Sequence, residues 1–335
     1  MNSRHWKSIT AVIVDPFRRE QLAATKAAAI AARCGARLTL FNTFRLPQPT
    51  PEAVLGSPKQ NIAAATRQRL QLMEKLAARL ARRGIAVQCV VEWDYPAHEA
   101  IVRHVLKHKP DLVVAESHRH GRIARWVLAN TDWELIRGCP CPLWFARSAS
   151  LPAKPRLLVA VDPRHTNEKP AHLDDRLLTA AGSLTSQLQG EIDIAHAYRR
   201  PSNVTPGLLR APVKRPLQAQ RTREFIAETT RQVERLAARH EISSDRCFVR
   251  EGEATEVLTA LTRQRHTDVL MMGAVSRSFL GRPVIGSTAE SVIDRVGCDV
   301  FVVKPAKFTT PVSRAKPKGA RGSGRGARVR SQNGT

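Results

Sequence analysis

The chain repeats itself, and that restricts its fold more than any single residue does. "ITAVIVDP" at 9–16 resembles "RLLVAVDP" at 156–163. "HEAIVRHVLKHKPDLVVAES" at 98–117 resembles "TEVLTALTRQRHTDVLMMGA" at 255–274, and "CPLWFAR" at 141–147 resembles "CDVFVVK" at 298–304. Asp111 and Asp268 are 157 positions apart, as are Cys141 and Cys298, whereas Asp15 and Asp162 are 147 apart. The second half therefore holds about ten more residues between its first and fourth apolar runs. The Pro- and Arg-rich "YRRPSNVTPGLLRAPVKRP" at 198–216 is expected to carry much of that excess as a long loop.

Within each half, short apolar runs alternate with helical periodicity. The runs fall at 9–14, 37–41, 85–91, 111–115 and 142–146, then near 156–161, 190–196, 246–250, 268–272 and 299–303. Between two of them, Leu70, Met73, Leu76, Ala77 and Leu80 recur at helical spacing before Gly84. Such alternation predicts a parallel sheet with helices on both faces. The fold class is α/β: two tandem five-stranded, doubly wound domains. They are expected at 5–147 and 156–305, joined by the linker "SASLPAKP" at 148–155. A basic tail, 306–335, follows.

Charge and cysteines narrow the function classes. The net charge is +25 over 335 residues. The tail carries eight Lys or Arg, no acid and few apolar residues, so it is expected to be disordered. Such charge favours RNA, DNA or anionic lipid; a merely solvated tail is the alternative, since no aromatic residue is there to stack on bases. The six cysteines show no disulfide framework, and "CPC" at 139–141 is too tight for paired zinc ligands, so reduced core thiols are expected. No apolar run is long enough to span a membrane. The N-terminal apolar segment, ended by Asp15 and Pro16, reads as a buried strand and not a signal peptide.

One stretch carries a candidate ligand site: "GAVSRSFLGRPVIGST" at 273–288, between the run "DVLMM" and the helical "AESVIDRV". In open α/β sheets ligands bind beyond the carboxyl ends of strands at a topological switch point. If the first and fourth strands are neighbours, Asp162 and this loop share one crevice. Gly273 permits a sharp turn and close approach, and Ser276 is small and offers a hydroxyl. Gly286, Ser287 and Thr288 open the next helix, where free N–H groups and the helix dipole favour an anion. Ser287 is placed as N-cap, with Glu290 as its capping-box partner. A phosphate cradle and a plain helix cap both fit this spacing. With the 157-residue offset, Glu116, Arg119, Ala129 and Asn130 stand where the second half has Gly273, Ser276, Gly286 and Ser287. If the loop binds a nucleotide, only the second half should do so.

These residues resemble the ATP-binding pattern of the universal stress protein family: Gly, two residues, Gly, nine residues, Gly, then Ser or Thr. The match runs through "GAVSRSFLGRPVIGSTAESVIDRVGCDVFVVKP" at 273–305, with Ser276 in place of the second glycine. "ESHRHGRI" at 116–123 and "TDWELIRGCPCPLWFAR" at 131–147 resemble the divergent first domain of the family's tandem E-type members. The resemblance covers about residues 5–306. It implies an adenine nucleotide alpha hydrolase-like fold with strand order 3-2-1-4-5, and halves packed as a pseudo-dimer through their fifth strands. It also implies a homodimer as a further assembly, and a cytoplasmic stress-response role. It makes Asp162 an adenine- or ribose-side contact, with Val161 beside it and His196 ending the second strand. Met272 and Gly273 would begin the phosphate loop, and Gly286, Ser287 and Thr288 would hold phosphates. ATP, with Mg²⁺, is the cofactor implied, in the second domain only.

No catalytic constellation is legible: there is no Lys-Ser/Thr phosphate loop, nucleophile elbow or metal-protease helix. Asp15 and Asp162 read as caps or ligand acceptors, with no metal assigned. His118 and His120 fall at the first half's crevice and read as exposed loop residues. All five tryptophans lie in the first half, and an interface with the second half is expected to bury them. The leading reading is a non-enzymatic stress protein. Its rivals are slow ATP hydrolysis at the same site and RNA or DNA binding through the tail.

Overall fold

A computed structural model describes residues 6–46, 58–117, 129–164, 172–199, 215–274, 276–279, 282–285, 287–315 and 327–330. The first half runs β1 (Ser8–Val12), α1 (Leu22–Cys34), β2 (Arg37–Phe44), α2 (Pro58–Ala81), β3 (Val87–Trp93), α3 (Ala97–His108), β4 (Leu112–Glu116), α4 (Ala129–Gly138) and β5 (Leu143–Ala146). The second runs β6 (Arg156–Ala160), α5 (Leu173–Leu188), β7 (Glu191–Tyr198), α6 (Arg215–Arg239), β8 (Cys247–Glu251), α7 (Ala254–Gln264), β9 (Val269–Gly273), β10 (Ser276–Phe279), β11 (Arg282–Ile285), α8 (Ser287–Arg295) and β12 (Asp299–Val303). A last strand, β13 (Ala327–Arg330), lies in the tail. The expected long connection is the one from Tyr198 to Arg215, and 200–214 lie outside the described residues.

Each half has strand order 3-2-1-4-5, and the two sheets join edge to edge. β5 pairs antiparallel with β12, with Trp144 opposite Phe301. The fifth-strand edge is thereby used inside one chain. The inward faces form two continuous cores that cross from half to half. One lies under α1, α2, α5 and α6, the other under α3, α4, α7 and α8. Helix α1 buries Ala23, Ala24, Ala27, Ala28 and Ala31, small side chains that let it lie close to the sheet. Gly35 ends it at φ 63, and its N–H returns to the Ala31 carbonyl.

The seam between the halves is aromatic and charged. Trp6 and Trp144 are fully buried and meet Phe301 edge-on at 5.9 and 5.8 Å. Asp299 accepts the Trp144 indole N–H and the Arg147 backbone N–H, both at 2.8 Å, and pairs with Lys26 of α1 at 2.6 Å. Thus Trp6 and Trp144 lie where the interface reading put them. Trp93 instead packs on Tyr95, and Trp133 is partly buried against the core under α3, α4, α7 and α8; Trp126 lies outside the described residues.

At 327–330 the tail departs from the expectation of disorder; 316–326 and 331–335 lie outside the described residues. Ala327–Arg330 pairs antiparallel with β3, Val329 opposite Cys89. The physical reason is that β3 is otherwise an open sheet edge, whose unpaired N–H and C=O groups accept any extended segment that reaches them. Nearer the body, Val312 packs against the α3–α4 core, and the Lys304 ammonium lies 4.6 Å from the centre of the Phe308 ring.

Candidate functional site

Two aspartates that mark the repeat are structural. Asp111 Oδ2 accepts the backbone N–H of Lys7 and Ser8, each at 3.0 Å, and Asp268 Oδ2 accepts that of Arg156 at 2.8 Å. Each clamps the start of the first strand to the fourth. At the other end, Ile13 and Val161 donate their N–H to the carbonyls of Phe41 and Ala195. The strands are therefore equivalent with Ser8 at Arg156 and Ile13 at Val161. The shared Asp-Pro motif is one residue out of step with that register. Val14, 51% exposed, occupies the position of Asp162, and Asp15 that of Pro163. Asp15 Oδ1 accepts the Phe17 N–H at 2.9 Å and so closes its own turn.

In the second half β6 and β9 are parallel neighbours, with Leu157 opposite Val269, as a shared crevice requires. The turn after β6 is held from three sides. His196, buried, donates Nδ1–H to the Val161 carbonyl at 2.9 Å. Asn42 does the same in the first half, its Nδ2 donating to the Ile13 carbonyl at 2.7 Å. The Asp162 N–H donates to Asp174 Oδ2, in the first turn of α5, at 3.1 Å. Arg164 turns away, donating to Thr229 Oγ1 at 2.9 Å and lying 4.3 Å from the centre of the Phe225 ring. A main-chain edge fixed in this way is pre-organised for a ligand at little ordering cost.

Of the anticipated site residues, Val161 and Met272 place their side chains in the two cores on opposite faces of the sheet, so only their backbone reaches the crevice. Asp162 is partly exposed at the carboxyl end of β6, and Gly273 ends β9. Gly286 lies outside the described residues. Ser276 opens β10, and Ser287 and Thr288 lie in the first turn of α8. α8 begins at Ser287 itself.

The segment between Gly273 and α8 is also not an open loop. β10 and β11 form an antiparallel hairpin, with Ser276 opposite Ile285 and Phe279 opposite Arg282. Two residues, 280 and 281, join the strands, a length that suits tight hairpin turns. The hairpin sets Ser276, the middle position of the pattern, opposite Ile285.

The first half's crevice has different chemistry. Its cleft is lined by Val12, Ile13 and Val14, by Ala115 and Glu116 ending β4, and by Asp132 of α4. Desolvation pushes the Asp132 carboxyl up to about 7; Glu116 and Asp294 add to this, and Arg147 opposes it. The carboxyl holds protons in the folded state that it loses when unfolded, so its contribution to stability falls as pH rises from about 4 to 7. Asp132→Asn is expected to flatten that part of the stability profile in urea melts across this range; an unchanged slope would contradict the placement. His118 and His120 lie outside the described residues.

Two parallel-stranded α/β halves in one chain, each with its first and fourth strands side by side, define a tandem doubly wound protein. The universal stress protein family profile matches residues 9–147 and 155–304, and the chain belongs to that family. It is similar to Universal stress protein E of Escherichia coli K12, 28% identical over 90% of this chain and 95% of that one. It is also similar to that of Photorhabdus laumondii, 25% identical over 91% and 97%. Among solved structures, a protein of unknown function from Pseudomonas aeruginosa PAO1 shares the fold at TM-score 0.67 and 22% identity, covering 89% of this chain and 92% of its own. A universal stress protein from Archaeoglobus fulgidus does so at 0.59 and 15%, covering 88% and 96%.

Proposed function

We propose that the chain is a non-enzymatic, cytoplasmic stress protein whose second half alone holds an adenine nucleotide. The observation that supports this is the contrast between two crevices at equivalent places. The second has Asp162 on a turn fixed by hydrogen bonds, Gly273 at the end of the neighbouring strand, and α8 opening with Ser287 and Thr288 after the hairpin. The first has Val14 at the Asp162 position, with Glu116 at its wall, and a carboxylate repels phosphates. Asp162 would accept from the ribose or adenine. Free N–H groups at the start of α8 would take phosphate oxygens. Mg²⁺ would accompany the triphosphate as counter-charge.

Calorimetry of full-length protein with ATP, Mg²⁺ and moderate salt tests this against a Gly286→Val variant. One ATP per chain is expected, with at least tenfold weaker binding in the variant. No binding, or equal binding in both proteins, would overturn the reading. Phosphate release over the same titration separates holding from slow hydrolysis. Among the described residues no helix is long and apolar enough to cross a membrane.

A further inference from the structure

The charge of this chain is not evenly neutralised. On α2, Met73, Leu76, Ala77 and Leu80 face the core, and Arg67, Lys75 and Arg79 lie on the opposite side, followed by Arg82 and Arg83. All five basic residues are exposed, and none has an ion-pair partner among the described residues. Glu74 is the single acid of the helix. The corresponding helix of the second half differs. On α6, Arg231 pairs with Glu228 and Arg239 with Asp175; Arg221, Arg223 and Arg235 have no ion pair among the described residues, but Glu224, Glu228 and Glu234 interleave them, against one acid on α2.

The unpaired cations also have company. α2 is the crossover into β3 and packs on it. β13 pairs with the free side of β3, which brings Arg328 and Arg330 of the tail to the same sheet edge. Two basic segments far apart in sequence thus converge on one border of the molecule. The run from Arg67 to Arg83 spans about 24 Å at the helical rise.

We propose that this border, α2 together with the β13 strand, binds the phosphate backbone of nucleic acid without selecting bases. A row of solvated, unpaired point charges matches a regularly spaced polyanion. α2 presents no aromatic residue to stack on a base, so the contacts are to phosphates. The site differs in place and in chemistry from the crevice at β6 and β9.

Fluorescence anisotropy of the full-length protein with a labelled 20-base-pair DNA duplex and a 20-nucleotide RNA, at roughly 50 and 200 mM KCl, is the test. The duplex and the RNA distinguish which nucleic acid is preferred. Binding that weakens steeply with salt is expected. An R67Q/K75Q/R79Q/R82Q/R83Q variant should lose at least tenfold in affinity, with a salt slope shallower by about 0.9 for each duplex phosphate contact removed. R221Q/R223Q/R235Q on α6 should change affinity less than threefold. R67K/R79K/R82K/R83K should keep it, because phosphate needs only the charge. Because all the substitutions are on exposed positions, circular dichroism should match wild type. The proposal is overturned if the α2 variant binds as wild type does, or loses no more than the α6 variant. Tighter binding to phosphatidylglycerol vesicles than to either nucleic acid at equal phosphate also overturns it.

Discussion

Replacing Asp299 with alanine is expected to lower the unfolding free energy by about 3–5 kcal/mol, the cost of breaking a buried ion pair by removing one partner. Asp299 and Lys26 are each only 3% exposed, and their charged atoms are 2.6 Å apart. The loss has three parts. The Lys26 ammonium is left in the seam without its counter-charge, although it also donates to the Ser150 carbonyl. The Trp144 indole N–H and the Arg147 N–H each lose their acceptor. Because the pair bridges α1 of one half and β12 of the other, the damage falls on the joint between them. Denaturant unfolding should show a lowered midpoint, and the two halves should begin to unfold separately. Lys26→Met combined with Asp299→Asn should lose less than the two single losses summed, since no unpaired charge remains. A loss under about 1 kcal/mol for Asp299→Ala would show that water reaches the pair and that it is worth no more than a surface one.

Asp299 also marks a limit of sequence reading. Strand count and the parallel class were within reach of the apolar runs and their repeated spacing; strand order and the joining of fifth strands came only with the family resemblance. Why Asp299 should stand at the head of the last strand was not. Its partners come from α1, β5 and the segment after β5, which no local pattern connects. The same holds for the repeat's own alignment. Text similarity sets Asp15 on Asp162, but the clamps at Asp111 and Asp268 fix the strand register, and that register puts Val14 there. A one-residue slip costs nothing in the motif, yet it removes an acid from one crevice.

The hairpin β10–β11 was missed because glycine and serine drew attention as loop formers. A weak signal was present: Leu280–Gly281 sits between two four-residue segments of strand length. The tail strand gave less still, since "ARVR" pairs only because β3 offers an edge. The arginines of α2 were visible in the sequence as composition. That none of the five has an ion-pair partner among the described residues, while Arg231 and Arg239 of α6 do, depends on which side chains fall within reach, and only the folded chain decides that.

Lys304 leads to the opposite kind of prediction, a substitution that stabilises. It directly follows β12, is 3% exposed, and its Nζ has no hydrogen-bond partner among the described residues. Desolvation pulls its pKa down from 10.5 to about 8, with the nearby Cys139 opposing weakly. A gap of that size corresponds to about 3 kcal/mol. The unfolded chain binds the proton more tightly, so the penalty is fully present below pH 8 and is relieved as pH rises from 8 to 10.5. Lys304→Met should therefore raise stability at pH 7 by about 2–3 kcal/mol, after loss of the ammonium's contact with the Phe308 ring. The advantage should shrink through pH 8–10 and vanish above it. The difference between the two proteins is the quantity to follow, not the wild-type profile alone. Burial pushes Cys89 and Cys139 up to about 12, so above pH 9 those thiols make stability fall and mask the lysine. Urea melts of both proteins at pH 7, 8, 9 and 10 suffice. A gain that does not change with pH would mean that the added stability is packing by methionine and not relief of a buried charge. A loss at pH 7 would mean that the ammonium is anchored by a group that outweighs its desolvation.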